Sequence, residues 1–304
     1  MLARYTHTIQ EINGVPTDTF RVAHDTKDPH TIFVFVPGNP GLVDFYRDLF
    51  VQLIDRLGPG YEARGASYVG HSSEQPVAVH DETLAWTIDG QSWQQYCFVQ
   101  TLPTEPKLIF IAHSIGCHLT QRILVWKPEL LERTSQIMFL MPFIRLGTEE
   151  SIQNVKRAVA GRPRLSHFVA KTGLQLLSAV PYSVLDRMLT YSMPAGRAVT
   201  IRLLQQPAFA ANFLGLGLEE IRDVPLAWDL PGLRILARGC PLSMLYAGKD
   251  HWAPESHLAD LPPGLRVSVE CDRSLQHDFV IQPTQVDKVV DWVVRQVVPR
   301  QSKL

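Results

Sequence analysis

The chain has 304 residues, 45% of them hydrophobic and 19% charged, with a formal net charge of −1. That length exceeds the size at which one core usually stops growing, so residues 1–304 are expected to form one large α/β domain carrying an insertion. Near-zero charge with scattered basic residues argues against nucleic acid as a partner and against capture by anionic lipid through charge alone.

The N-terminal segment Met1 to Thr8 lacks the apolar core of a signal peptide. No apolar run reaches the ~18 residues that would span a bilayer, so a soluble or peripheral chain is expected. Tyr5 to Ile12 and Thr19 to Ala23 read as short edge strands, with Asn13-Gly14 marking a hairpin turn between them. Thr31 to Val36 is a continuous β-branched and aromatic run, suited to a central strand buried on both faces. It stops at Pro37-Gly38-Asn39-Pro40-Gly41. Phe45, Leu49, Leu53 and Leu57 recur at helical spacing. Tyr61 to Val69 is a predicted strand, followed by a loop from His71 to His80. Residues 89 to 102 are predicted to form a helix packed beneath the sheet through Trp93, Cys97 and Leu102.

Lys107 to Ala112 is the next strand, Ile115 to Trp126 a helix, and Gln136 to Met141 another strand. The alternation argues for a mostly parallel, doubly wound sheet. From Pro142 to about Arg238 the strand pattern lapses, and 142–238 is expected to be a helical cap inserted over the strand ends. Its helical segments are Val155–Ala160, Leu165–Ala179, Val184–Tyr191, Val199–Gln205 and Phe209–Leu218. Strands return at Leu242 to Ala247 and Leu265 to Glu270, and a helix from about Pro283 to Val298 closes the fold. Cys97, Cys117, Cys240 and Cys271 share no metal or redox spacing and are expected to be reduced thiols, with no metal and no cofactor.

The chemistry centres on Ala112-His113-Ser114-Ile115-Gly116, a small-x-Ser-x-Gly turn set directly between a strand and a helix. Such a turn presents Ser114 Oγ at the tip of a nucleophile elbow, and its sharpness demands small residues two before and two after the serine. A neutral hydroxyl needs a base, and the base needs an orienting acid. In an α/β-hydrolase fold these follow the serine in the order acid, then His. Asp250, after the strand Leu242–Ala247, is the acid candidate, with Asp272, Asp278 and Asp223 as alternatives. His277, in the loop before the last helix, is the base candidate, with His251 and His257 as alternatives. His113 and His118 read as packing residues. The oxyanion needs two preset donors. The Ile115 N–H supplies one. Because Pro37 and Pro40 have no N–H, Asn39 supplies the other.

Val36-Pro37-Gly38-Asn39-Pro40-Gly41 with Phe45-Tyr46 and Leu49-Phe50, then Ala112-His113-Ser114-Ile115-Gly116, resembles the lipid droplet-associated hydrolase family. The likeness extends to His71, Gln95, Gly248-Lys249-Asp250-His251-Trp252 and Gln276-His277-Asp278-Phe279-Val280. It implies an α/β-hydrolase fold and a serine hydrolase with nucleophile, acid and base at Ser114, Asp250 and His277. It also implies lipid-droplet association and activity on lipid esters such as sterol esters. Ala112 departs from the family's usual Gly.

The expected reaction is ester cleavage through an acyl-enzyme. The expected partners are an apolar lipid ester and a droplet or membrane surface, with Leu174 to Leu177 and Phe209 to Leu218 lining the pocket or touching lipid. A second reading is an acyl-CoA thioesterase, for which Arg157, Arg162 and Arg164 are the modest basic cluster. A third is a lipid-surface binder with little turnover. The final Ser302-Lys303-Leu304 matches the peroxisomal address and predicts recognition by the import receptor, in a peroxisome or glycosome.

Overall fold

The computed structural model describes residues 2–25, 29–72, 82–146, 179–190, 193 and 195–298. Among them an eight-stranded sheet has the order β1-β2-β4-β3-β5-β6-β7-β8. The strands are β1 Arg4–Ile12, β2 Val15–Ala23, β3 Thr31–Val36, β4 Tyr61–Ala66, β5 Lys107–His113, β6 Thr134–Leu140, β7 Leu242–Lys249 and β8 Val267–Gln276. The β1–β2 and β2–β4 pairs are antiparallel. Every other pair is parallel.

The hairpin turn sits where Asn13-Gly14 predicts it: Ile12 faces Val15, and both turn residues take positive φ (52° and 73°), as a two-residue hairpin loop requires. β2 departs from expectation. It is longer than predicted and is not an edge strand, because β4 pairs along its other side.

Strand alternation divides the core in two. Ile32, Val34 and Val36 of β3, with Leu108, Phe110 and Ala112 of β5, face one side. Phe33, Phe35, Ile109 and Ile111 face the other. The first face is covered by α3 Ile88–Gln100, α4 Ile115–Trp126 and α9 Leu230–Gly239. The second is covered by α1 Arg47–Leu57 and α10 Pro283–Val297. A 3₁₀ turn over Val43–Tyr46 precedes α1, so Phe45, expected in this helix, stands before it.

Two short helices were not expected: α2 Glu82–Trp86 and α5 Glu129–Arg133. Between β6 and β7 the described residues form α6 Tyr182–Leu189, α7 Arg197–Leu204, α8 Pro207–Asp223 and α9, the last likewise unexpected. The predicted helices Val155–Ala160 and Leu165–Ala179 lie outside the described residues, save Ala179. So do Leu174 to Leu177, the arginines at 157, 162 and 164, and Ser302, Lys303 and Leu304.

α3 turns an unexpected face inward. Trp93 is exposed and packs at a tilt against Tyr96 and Trp126 at the surface, while Gln91, Gln94 and Gln95 are buried. The glutamines go inside because backbone groups there need partners. Gln91 bonds the Val69 N–H and the carbonyls of Val69 and Ala85. Gln94 donates to Ile12 O, and Gln95 to Ala66 O. The four cysteines are free thiols. Among the described residues, no helix is long and apolar enough to cross a membrane.

Candidate active site

The chain order reverses direction across the sheet between β3 and β5, and ligands of open α/β sheets bind outside the carboxyl ends of strands at such a switch. Asn39 follows β3 and Ser114 follows β5, so the two flank this point. Asp250 follows β7 and His277 follows β8, both also at carboxyl ends.

Ser114 joins β5 to α4 with φ 55° and ψ −126°, a backbone that costs a non-glycine residue about 1–3 kcal/mol and persists only where surroundings enforce it. Three hydrogen bonds enforce it. The Ser114 N–H donates to Leu140 O at 3.0 Å, and the Ser114 carbonyl accepts from Cys117 N (3.0 Å) and Phe143 N (3.2 Å). The glycines have a different reason from the one the pattern suggests. A Cβ at Gly116 would stand 2.4 Å from Val36 O and 2.5 Å from Pro37 O, so the close approach is to the end of β3. A Cβ at Gly38 would stand 2.8 Å from Ser114 Cβ. The Asn39 loop therefore passes directly against the serine, and Ala112 is accommodated fully buried.

Ser114 Oγ lies 2.8 Å from His277 Nε2, and His277 Nδ1 lies 2.7 Å from Asp250 Oδ2. The other carboxylate oxygen of Asp250 accepts the N–H groups of Trp252 (2.8 Å) and Ala253 (2.9 Å). Burial by itself would push Asp250 up. The hydrogen bond and charge of His277, with those two N–H groups, outweigh it and hold the carboxyl below its usual range. Ser114, His277 and Asp250 are thus brought together from positions far apart in the chain.

The alternatives go elsewhere. His251 is exposed, and His257 is buried in a 3₁₀ turn, where its carbonyl accepts from Trp228 Nε1. Asp272 turns back on Ser274. Asp223 meets Arg122 at 3.2 Å and His118 at 3.5 Å, tying α8 to α4. Asp278 stands at the N-terminus of the 3₁₀ turn at Phe279–Ile281, where its backbone carbonyl accepts the Ile281 N–H.

Ile115 is the first residue of α4, so its N–H has no acceptor within the helix. Gly38 N–H is spoken for: it donates to Tyr46 Oη at 3.2 Å, and Gly41 N–H turns back to Gly38 O. Asn39 lies between them, its side chain donating to Phe213 O of α8 at 3.3 Å. Two residues that sequence reasoning left out of the site touch it. Tyr46 and His113 are hydrogen-bonded at 2.7 Å, and His113 Nε2 reaches the His277 carbonyl at 2.9 Å. The only signal for them is their place in the runs Phe45-Tyr46 and His113-Ser114. Among the described residues no group of three His, Cys, Asp or Glu side chains could hold a metal ion.

Solved structures share this architecture at low identity. A bacterial membrane phospholipase A superposes with a TM-score of 0.64 at 15% identity, covering 95% of this chain and 86% of that one. A thioesterase domain from the curacin biosynthetic pathway gives 0.63 at 13%, covering 96% and 99%. Epoxide hydrolase I of potato (Solanum tuberosum) gives 0.62 at 17%, covering 96% and 100%. These show the α/β-hydrolase fold.

Sequence relatives are narrower. The chain is 25% identical over 304 residues to the lipid droplet-associated hydrolase of Homo sapiens, covering 91% of this chain and 89% of that protein. It is 22% identical over 289 residues to that of Gallus gallus, covering 87% and 85%. The family profile described as lipid-droplet associated hydrolase matches residues 29–280, which takes in every strand from β3 to β8 together with Asn39, Ser114, Asp250 and His277. The chain therefore belongs to the lipid-droplet associated hydrolase family.

Proposed function

We propose that the protein is a serine hydrolase that cleaves esters of apolar lipids through an acyl-enzyme. The observation that carries this reading is the unbroken line Ser114 Oγ, His277, Asp250, with both contacts at 2.8 Å or less. His277 Nε2 takes the hydroxyl proton as Ser114 Oγ attacks the ester carbonyl. Asp250 accepts the Nδ1 proton's hydrogen bond, which leaves Nε2 free to act as base and steadies the imidazolium that forms. The N–H groups of Asn39 and Ile115 receive the oxyanion. His277 returns its proton to the leaving alcohol, and water then cleaves the acyl-enzyme by the same route.

An apolar cluster supports the substrate class. Leu42, Leu203 and Phe209, with Phe45, Val199 and Phe213, pack where α7 and α8 meet the Asn39 loop. An acyl chain leaving the oxyanion site meets carbon rather than charge there. A thioester would use the same machinery, and its distinguishing arginines lie outside the described residues. Association with the lipid-droplet surface is proposed from the names of the relatives. Peroxisomal import through Ser302-Lys303-Leu304 is a separate proposal, removed if deleting the three residues leaves the distribution unchanged.

The test of the chemistry is a fluorophosphonate probe, which forms a covalent bond only with an activated serine. Wild type should label and Ser114→Ala should not. Equal labelling of both, or labelling of neither, overturns the reading. Sterol esters, acylglycerols and acyl-CoAs assayed side by side then order the substrates.

A further inference from the structure

A line of hydrogen bonds, buried as far as His113, joins the Asn39 loop to the His277 loop, passing beside Ser114 through its neighbour. Gly38 N lies 3.2 Å from Tyr46 Oη, Tyr46 Oη lies 2.7 Å from His113 Nδ1, and His113 Nε2 lies 2.9 Å from the His277 carbonyl oxygen. The two ends dictate the direction of every bond between them. A backbone N–H can only donate, and a carbonyl can only accept. His113 must therefore carry its proton on Nε2 and present a lone pair on Nδ1. The Tyr46 oxygen, already receiving the Gly38 N–H, gives its own proton to that lone pair.

The sheet offers no other direct link between these two loops. β5, β6 and β7 lie between β3 and β8, so no strand register ties the oxyanion loop to the base loop. Yet ester attack requires both to be placed within a fraction of an ångström of the same serine. We propose that Tyr46 and His113 are positioning residues, a relay that sets the Asn39 donor and the His277 base in register with Ser114. The inference rests on the serine-hydrolase reading above for its consequence, but not for its geometry. Both residues are nearly inaccessible, at 3% and 4% exposure, so water does not compete for the Gly38–Tyr46 and Tyr46–His113 bonds. The His113 ring is held edge-on by Phe279 at 5.2 Å and by Tyr46 at 5.8 Å, which fixes its plane. Burial, with His277 beside it, lowers the His113 pKa to about 3, so the ring stays neutral as the relay requires.

Two measurements test the relay. The first is the ¹⁵N resonances of the His113 ring in the wild-type protein. They should show the Nε2–H tautomer, unchanged between about pH 5 and about pH 8. The second is the kinetics of Tyr46→Phe, which removes one oxygen and leaves Gly38 N–H and His113 Nδ1 without partners. Its kcat on a soluble acyl ester should fall about tenfold or more while KM stays within about twofold, the signature of misplacement in the transition state rather than lost binding. His113→Gln should fall alike, and the double variant should be no worse than the poorer single one, because both break the same line. A His113 proton on Nδ1, a ring that titrates in that range, or a folded Tyr46→Phe with wild-type kcat overturns the relay. A wild type that neither labels with fluorophosphonate nor turns over ester removes the hydrolase reading instead, and the tautomer still decides the relay.

Discussion

Two imidazoles beside the site, His71 and His113, are 1% and 4% exposed, and burial lowers their pKa values to about 4 and about 3. For His71 the bond to the Pro40 carbonyl at 2.6 Å offsets a part of that fall. An unfolded histidine titrates near 6.5, so below that pH the unfolded chain binds protons that the folded one refuses. The sign follows. The stability contributed by keeping these rings neutral is complete above about pH 6.5 and drains away as pH falls toward the folded values. Between about pH 7 and about pH 5 each ring should cost about 2 kcal/mol of folding free energy. Urea midpoints at the two pH values check this, and His71→Gln should show about half the wild-type fall. Equal midpoints would mean that the rings are protonated or solvated in the native state. Asp250 acts in a separate window: its lowered pKa contributes stability above the ordinary carboxylate range, and that contribution is lost only as pH falls below it.

At the scale of single elements, α3 shows why hydrophobic pattern and burial part company. Gln91 is fully buried and serves one N–H and two carbonyls. Gln91→Leu keeps the volume but strands those groups, at about 1–3 kcal/mol for each buried group left unpaired. With three groups stranded, a loss of about 3 kcal/mol or more is expected by urea unfolding, against about 1 kcal/mol or less for Trp93→Ser, whose ring packs only at the surface. A costlier Trp93→Ser would reverse that ranking. Strands such as β3 and β5 were legible because both their faces are buried, leaving nothing but apolar residues in the run. α3 was not, because a buried glutamine is chosen by backbone groups remote in sequence. α9 was missed for another reason. A proline inside a segment suggests a break, whereas here Asp229 caps the helix through the Gly232 N–H and Pro231 sits in its first turn, where its missing N–H costs nothing. The same distinction runs through the site. Ser114, Asp250 and His277 follow strand ends and could be placed in order. Tyr46 and His113 could not, since the partner of His113 is a backbone carbonyl 164 residues away.

The molecule as a whole divides between the sheet and the helices that follow β6. The candidate machinery comes from β3, β5, β7 and β8, whose carboxyl ends sit in a rigid, doubly covered sheet. The apolar wall beside it comes from α7 and α8, which enter between β6 and β7 and touch the machinery at Asn39 through Phe213 O. Chemistry and acyl preference should therefore separate by mutation. Phe209, which stacks on Phe213 and meets His71 edge-on at 5.4 Å, is the side chain to shorten. Phe209→Ala should lower kcat/KM about tenfold or more on a long-chain p-nitrophenyl ester, since each methylene contact is worth roughly 1–3 kcal/mol. The acetate ester makes no such contact, so its kcat/KM should stay within about twofold, and fluorophosphonate labelling should persist. Equal losses on both esters would mean that Phe209 supports the Asn39 loop rather than the acyl chain. No loss on either would move the chain's path away from α8, toward another wall of the site.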